Sequence, residues 1–545
     1  MKKFILLCTF CWGMLVPGAR ACTSFLAGRN ATIDGSTFIT YAADSHTLYG
    51  ALKFIPAARH PKNSTMEIRE WDTNKLLGHI PQVEYTYKVV GNMNEHQLSI
   101  TESTWGGRPE LVDTTGIIDY GSLMYIALQR AKTAREAITV MTDLVSEYGY
   151  YSSGESFSIA DPEEVWIMEM IGKGPQNQGA VWVAVRIPDD CIAAHANQSR
   201  IHKFPLDDKE NCLYSPDVIS FAREQGYFNG LNKDFSFADA YAPADFGALR
   251  GCEARVWSFY NRFNSSMGKY LSYLNGKSKE YLPLYIKPDK KLSVQDMKDA
   301  MRDHFEGTPF DMTQDVGAGP FKCPYRFRPM TFKVDSVEYT NERAVATQQT
   351  AFTLVAQMRS WLPNAIGGVL WFGVDDTNTC VYVPLYACLN EVPECYSELN
   401  GSMYDLSWTS AFWIHNWVAN MAYSRYDQMI EDIRPVQKDI ETTFNVQQPV
   451  IEKVANDLYR NDPVAVIRFL NAYSVAQAQQ TTVQWKKLGE FLLVKYLDGN
   501  RKKEKGGHFL ENGYGLPADP DFPGYSEEYY RAVAKDAGDR LKVAF

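Results

Sequence analysis

A cysteine whose own α-amino group becomes free is a nucleophile and a base on one residue, and Cys22 stands where export processing would create that arrangement. Ahead of it lie Met1-Lys2-Lys3, an apolar run from Phe4 to Val16, a break at Pro17-Gly18, and then Ala19-Arg20-Ala21. This is the basic n-region, short apolar h-region and small-x-small cleavage site of a secretory signal, and the apolar run is too short to span a bilayer. Cleavage after Ala21 would leave a mature chain beginning at Cys22-Thr23-Ser24. A thiol attacks as the thiolate. The reference pKa of an α-amine is near 8 and that of a thiol near 8.5, so a proton passes between them at little cost around neutral pH. The same amine, once protonated, can return the proton to a leaving amine. A lipidated cysteine is the alternative use of this position, but a lipid-attachment motif prefers an aliphatic residue at Ala19 and a small one at Arg20.

Competing chemistry is absent from the sequence. There is no HExxH, no GxSxG and no phosphate-binding glycine loop. The nine histidines are scattered, and a lone one such as His195 reads as a hydrogen-bonded structural residue. The acidic residues form no evident general acid/base pair. No metal or other cofactor is called for, since no cysteines stand at the CxxC spacing of a zinc site. Of the ten cysteines, Cys8 and Cys11 fall in the leader and Cys22 is the nucleophile. Cys191, Cys212, Cys252, Cys323, Cys380, Cys388 and Cys395 remain, an odd set in which at least one thiol lacks an internal partner. The close group Cys380, Cys388 and Cys395 is where a disulfide is expected.

Around these residues the chain must build a large core, since 45% of it is hydrophobic and 13% aromatic. A net charge of −10 argues against nucleic acid or an anionic membrane surface as partner. No later segment is apolar for long enough to cross a membrane.

The mature end opens a strand, Ser24 to Gly28, followed by turn residues from Asn30 to Asp34-Gly35 and a second strand from Thr37 to Tyr41. That hairpin would hold Cys22 at a strand end. Val83 to Val90 alternates as a strand, turns at residues 91–95 and returns through Leu98-Ser99-Ile100. Tyr120 to Ala131 is helical, and Thr133 with Glu136 forms a capping box for a helix running to about Tyr148. Ser156 to Ala160 and Val165 to Met170 flank Asp161-Pro162-Glu163 as a hairpin, and Trp182 to Ile187 and Cys191 to Ala194 add strands. Ser293 caps a helix ending near Phe305, after which Ala351 to Met358, Val369 to Val374 and Val381 to Leu385 read as strands. From about Asp405 the texture becomes helical, with separate patterns over Ile414–Met421, Met429–Phe444, Val450–Leu458 and Pro463–Leu497. Grouped strands with helix pairs between them imply an α+β fold of packed sheets with helices outside.

With Cys22 in view, the chain resembles the N-terminal-nucleophile cysteine dipeptidases of the dipeptidase A type, related to secernin, and more distantly the penicillin V acylase and bile salt hydrolase group. The resemblance runs from Cys22 to about Tyr396. Its marks are Cys22-Thr23-Ser24, Asp34-Gly35-Ser36-Thr37, Ala43-Asp44-Ser45, Asn94-Glu95 with Glu102-Ser103-Thr104, and His195-Ala196-Asn197-Gln198. Further marks are Glu253-Ala254-Arg255-Val256-Trp257-Ser258, Glu306 to Asp311, Arg359 to Pro363 and Gly367 to Gly373. The resemblance implies a four-layer αββα N-terminal-nucleophile hydrolase sandwich, here with a helical C-terminal region. It assigns Cys22 as nucleophile and base, Asp44 as the acid orienting its amine and sulfur, Asn197 as donor to the tetrahedral oxyanion, and Arg255 as the cation steadying the thiolate and pocket. Tyr41 stands where many relatives carry an arginine. Thr104 is nearest to the place where the acylase branch carries an oxyanion asparagine, a little beyond the Asn94 turn, so Asn94, Thr104 and Tyr41 are candidates for substrate or oxyanion contacts.

The expected organisation is a signal peptide at 1–21, a hydrolase domain at 22–404, a helical region at 405–500 and a surface tail at 501–545. The expected product is an exported dipeptidase, periplasmic or secreted, acting on dipeptides or short peptides. The alternatives are an amide acylase of the bile salt hydrolase or penicillin V acylase type, and a non-catalytic surface lipoprotein lipidated at Cys22. The tryptophan-rich helical region could supply a homo-oligomer contact or simply more core.

Overall fold

The computed structural model describes residues 22–543, so the expected signal peptide at 1–21 lies outside the described residues. Two antiparallel sheets form the centre. The seven-stranded sheet runs Tyr285–Ile286, Ile192–His195, Ser24–Ala27, Thr37–Asp44, Thr350–Met358, Val369–Val374 and Val383–Tyr386. The eight-stranded sheet runs Cys212–Tyr214, Ala180–Arg186, Val165–Gly172, Gly154–Ala160, Ser99–Trp105, Met93–Asn94, Val89–Val90 and Phe54–Ile55. Their central strands are buried throughout, which is why they read as unbroken apolar or small-residue runs instead of clean alternations.

The two sheets meet face to face through small polar side chains. Ser24 Oγ lies 3.4 Å from Thr101 Oγ1, and Thr37 Oγ1 donates to the Asp161 carbonyl over 2.7 Å. Outside the eight-stranded sheet pack helices Tyr120–Arg130 and Ala134–Tyr148 with their own apolar cluster. Outside the seven-stranded sheet lie Ala254–Phe263, where Phe259 stacks on Phe25 at 4.1 Å, and Val294–Met301, where the Met301 sulfur accepts from Thr40 Oγ1. Helix, sheet, sheet and helix make the four-layer αββα sandwich of an α+β protein.

The C-terminal helices Ala411–Ser424, Tyr426–Tyr459 and Pro463–Lys495 add to the second helical layer. They are tied down by buried charge. Glu441 pairs with Arg302 at 2.5 Å and accepts from the Tyr382 amide, while Glu452 pairs with Arg359 at 2.6 Å. Ser474 Oγ accepts the Tyr386 amide, so the long helix covers the edge strand of the sheet. The tail beyond residue 500 is mostly exposed and carries a helix at Glu527–Ala537.

Several local expectations change. The strand expected over Val83–Val90 divides into Tyr85–Thr86 and Val89–Val90, which pair with different partners. Met429–Phe444 and Val450–Leu458 belong to one helix of 34 residues that absorbs Pro435 and Pro449. The Ser293 cap forms a full box with Asp296, but the helix ends at Met301, and Phe305 turns the chain with φ of 66°. At Thr133 only half of the box forms: Thr133 accepts the Glu136 amide, and the Glu136 carboxylate takes the Lys132 amide instead. Every cysteine among the described residues is a free thiol, so the disulfide expected among Cys380, Cys388 and Cys395 is not there. Each of the three is buried in the apolar core, where a free cysteine packs as a small hydrophobe. No helix among the described residues is long and apolar enough to cross a membrane.

Candidate active site

Strand register brings Cys22 to the second strand. Thr23 bridges Ala42, Leu26 faces Ile39, and Ser24 faces His195 on the other side. Cys22 therefore sits at the head of a central strand, 5% exposed, in the lining of a cavity that opens to solvent. The cavity is lined by Cys22, Tyr41, Ala43, Asp44, Ser45, Thr47, Leu48, Trp71, Asp72, Glu102 and Tyr120.

Two side chains flank the sulfur. Glu102 Oε1 is 3.3 Å from Cys22 Sγ and the Tyr41 hydroxyl is 3.8 Å away, while Tyr41 donates to the same Glu102 oxygen. The Asp44 main chain also hydrogen-bonds the sulfur. Burial pushes the thiol well above its ordinary range, and the charges of Glu102 and Asp44 push it further. The thiol thus keeps its proton here and needs a base to attack.

Asp44 is fully buried at the end of its strand, in an ion pair with Arg343 and accepting from Thr350 Oγ1 at 2.5 Å. Burial raises its carboxyl, and Arg343 opposes that shift. The Thr350 contact follows from register, because Thr350 pairs with Asp44 directly beside a bulge in that strand.

Arg255 enters from helix Ala254–Phe263, just after a π-turn at Leu249–Glu253. Its Nη1 donates to the Cys22 carbonyl at 2.8 Å and to Thr23 Oγ1 at 2.7 Å. Its Nη2 donates to the Ala196 carbonyl at 3.1 Å and to Asn197 Oδ1 at 2.9 Å, and Nε donates to the Gly251 carbonyl. Its bonds grip the Cys22 backbone rather than its sulfur. Burial, with Arg343 next, lowers this guanidinium to about 10.

Asn197 adopts φ of 59°, a left-handed conformation that asparagine tolerates better than most residues. Its amide N–H donates to Ser103 Oγ and its Nδ2 to the Thr104 carbonyl at 2.6 Å. Ser103 is in turn held by His195, whose two ring nitrogens contact Ser103 Oγ at 2.6 Å and Ser158 Oγ at 2.7 Å. Burial drives His195 down to about 3, so it is a neutral clamp between the sheets.

Of the sequence-predicted residues, the fold brings Cys22, Tyr41 and Asp44 together in the cavity, with Arg255 and Asn197 behind Cys22. Thr104 and Asn94 lie outside the cavity lining. Thr104 meets Asn197 through its carbonyl. Asn94 donates to the carbonyls of Leu128 and Ala131 and accepts from the amides of His96 and Leu98, so it organises a turn and has no amide hydrogen left for an oxyanion.

Sequence reasoning missed two residues as parts of the site: Glu102 and Arg343. Glu102 had a signal, a lone charge in the strand Ser-Ile-Thr-Glu-Ser-Thr-Trp whose other members are all suited to burial. Arg343 reaches Asp44 from a loop 299 positions away and had none.

The sequence model described as peptidase family C69 matches residues 21–439. A protein named probable dipeptidase from Latilactobacillus sakei is 27% identical over 425 residues, covering 74% of this chain and 82% of that protein. A probable dipeptidase from Salmonella dublin is 27% identical over 408 residues, covering 71% and 85% respectively. A probable dipeptidase B from Streptococcus pyogenes serotype M1 is 23% identical over 512 residues, covering 88% and 94%.

Proposed function

For this chain, which belongs to peptidase family C69, we propose an exported cysteine dipeptidase whose nucleophile is Cys22 at a mature amino terminus. The observation that carries the reading is the place of Cys22: a buried thiol at the head of a central strand and in the lining of the cavity, at the first residue after a signal-type cleavage site. The relatives' names supply the substrate class.

The chemistry follows from what surrounds the sulfur. Because the thiol holds its proton, attack and proton removal occur together. The freed α-amine, with a reference pKa near 8, is the base on the same residue. Asp44, fixed by Arg343 and Thr350, orients that amine. Arg255 fixes the Cys22 carbonyl, which sets the direction of the strand end. The thiolate adds to the scissile carbonyl, the protonated amine passes its proton to the departing amine, and water then hydrolyses the acyl-enzyme, regenerating the thiol. Donors placed at the developing oxyanion each contribute roughly 3–4 kcal/mol to such a reaction, and Asn197 is the side chain that the resemblance assigns to this role.

The test is to express the full chain and a form begun at Cys22, determine the N-terminal mass of each, and assay dipeptide hydrolysis. Activity is expected only where Cys22 is the free first residue, and Cys22→Ser is expected to lose it. A fully active chain that retains Ala21, or a diacylglyceryl group on Cys22 in the active protein, overturns the reading.

A further inference from the structure

Asp44 has a cation beside it and Glu102 does not. Glu102 is 1% exposed, and among the described residues its only donors are the Tyr41 hydroxyl and the Cys22 thiol, both on Oε1. Glu102 Oε2 has no hydrogen-bond donor among the described residues, and Glu155 has no amide or basic side chain on its carboxyl, only the Thr104 hydroxyl and the Glu102 carboxyl beside it. Glu155 is fully buried next to it: Thr104 pairs with Glu155 and Glu102 with Phe157, so the two glutamates lie diagonally on one face of the sheet. Burial, then the charge of Glu102, pushes the Glu155 carboxyl well up, so both favour its protonated form. Neither glutamate has a salt bridge among the described residues, and no lysine, arginine or histidine lines the cavity, which also carries Asp72. A buried charge without a counter-ion is unfavourable. The cavity is built to receive a cation.

Building on the dipeptidase reading, we propose that Glu102, backed by Glu155, binds the α-ammonium group of the substrate, so that the residue bearing the free amine also supplies the carbonyl that Cys22 attacks.

The distances close. In an amino acid the α-nitrogen lies about 2.5 Å from its carbonyl carbon. A sulfur poised for attack is about 3–3.5 Å from that carbon, and an ammonium hydrogen-bonds a carboxylate at about 2.8 Å. Those three lengths span the 3.3 Å between Cys22 Sγ and Glu102 Oε1 without strain. The site then has two carboxylates for two amines. Asp44 serves the nucleophile's amine and Glu102 serves the substrate's. Binding also helps the reaction, because a positive charge on Glu102 offsets one of the charges that keep the thiol protonated. An N-acylated substrate brings no such charge and must bury Glu102 uncompensated.

The experiment compares alanyl-alanine with N-acetyl-alanyl-alanine on the mature enzyme and on Glu102→Gln, reading kcat/KM for release of the second alanine. Both substrates use the same thiol, so their ratio isolates the amine. The wild type is expected to prefer the free amine by roughly 100-fold or more, and Glu102→Gln to collapse that preference to within about threefold. An equal fall on both substrates overturns the proposal and assigns Glu102 to the enzyme's own amine. If Glu102→Gln does not fold, the wild type decides: equal rates on alanyl-alanine and propionyl-alanine, which lacks only the ammonium, overturn it. Failure of the dipeptidase reading has a different signature, namely Cys22-dependent hydrolysis of N-acyl amides with no turnover of any free-amine dipeptide.

Discussion

Arg255 Nη2 donates to Asn197 Oδ1 over 2.9 Å, and the same guanidinium holds the Cys22 carbonyl through Nη1. The asparagine carboxamide and the Cys22 backbone are thus referenced to one rigid planar group. Rotation of either is restrained by the other's bonds.

Such a unit fails as a unit. Asn197→Ala leaves one Arg255 donor without its acceptor, and Arg255→Ala leaves the buried Cys22 and Ala196 carbonyls without donors. Each single change is expected to lower kcat/KM by roughly 100-fold, about 2.7 kcal/mol, with the double variant little worse than either single one. A double-mutant cycle on the folded proteins measures this. Fully multiplicative losses would mean that the two residues act separately.

Asp44 and Arg343 give a prediction about stability that separates from activity. Arg343→Met leaves Asp44 charged and unmatched in the core, at about 3–5 kcal/mol. Adding Asp44→Asn removes the stranded charge, so the double variant is expected to regain most of the loss in urea denaturation. It is not expected to regain peptidase activity, since the carboxylate proposed to orient the Cys22 amine is gone. A double variant as unstable as Arg343→Met alone would place the loss in the packing of the arginine stem.

Tyr41 contacts both the thiol and Glu102. Its hydrogen bond to the sulfur opposes the upward push on the thiol. Tyr41→Phe also leaves the Glu102 charge without its hydroxyl donor. Iodoacetamide modification of Cys22 is therefore expected to slow several-fold at pH 8, with the midpoint of its rate-versus-pH curve moving upward. A midpoint that stays or falls would show that Tyr41 does not serve the thiol.

The layers were legible because their signals are local. Ser24–Ala27 and Val165–Gly172 are continuous buried runs, Ser293 and Thr133 stand at helix starts, and the Cys22 position needs only a cleavage motif to be noticed. The continuity of the long helix through Pro449 was not legible, because proline opposes helix locally and only packing against the sheet, through Glu441 and Glu452 on either side of it, overrides it. The site divides in the same way. Asp44 and Arg255 could be assigned through motifs, but their partners could not. Arg343 meets Asp44, and Glu102 meets Cys22, across distances in sequence that no periodicity records. Asn94 misled for a related reason: a turn asparagine and an oxyanion asparagine look alike until the carbonyls of Leu128 and Ala131 are seen to hold its amide.

Asp375 provides a titration away from the cavity. It is 1% exposed, with φ of 66°, and its Oδ1 accepts from Asn416 Nδ2 at 2.8 Å while Oδ2 has no partner. Burial raises its carboxyl from the usual 3.8 to about 8. The folded protein therefore keeps this proton between about pH 4 and 8 while the unfolded chain has lost it. The unfolded state binds fewer protons over that window, so this group makes stability fall as pH rises through it, with the full penalty present above about pH 8. The penalty is on the order of a few kcal/mol. Asparagine tolerates the same backbone conformation, resembles the protonated acid in shape and does not titrate. Asp375→Asn is thus expected to match the wild type at about pH 4 and below and to exceed it by a few kcal/mol near pH 8 in urea denaturation, since all other groups titrate alike in both proteins. Parallel stability curves from pH 5 to 8 would show that Asp375 is ionised in the folded protein.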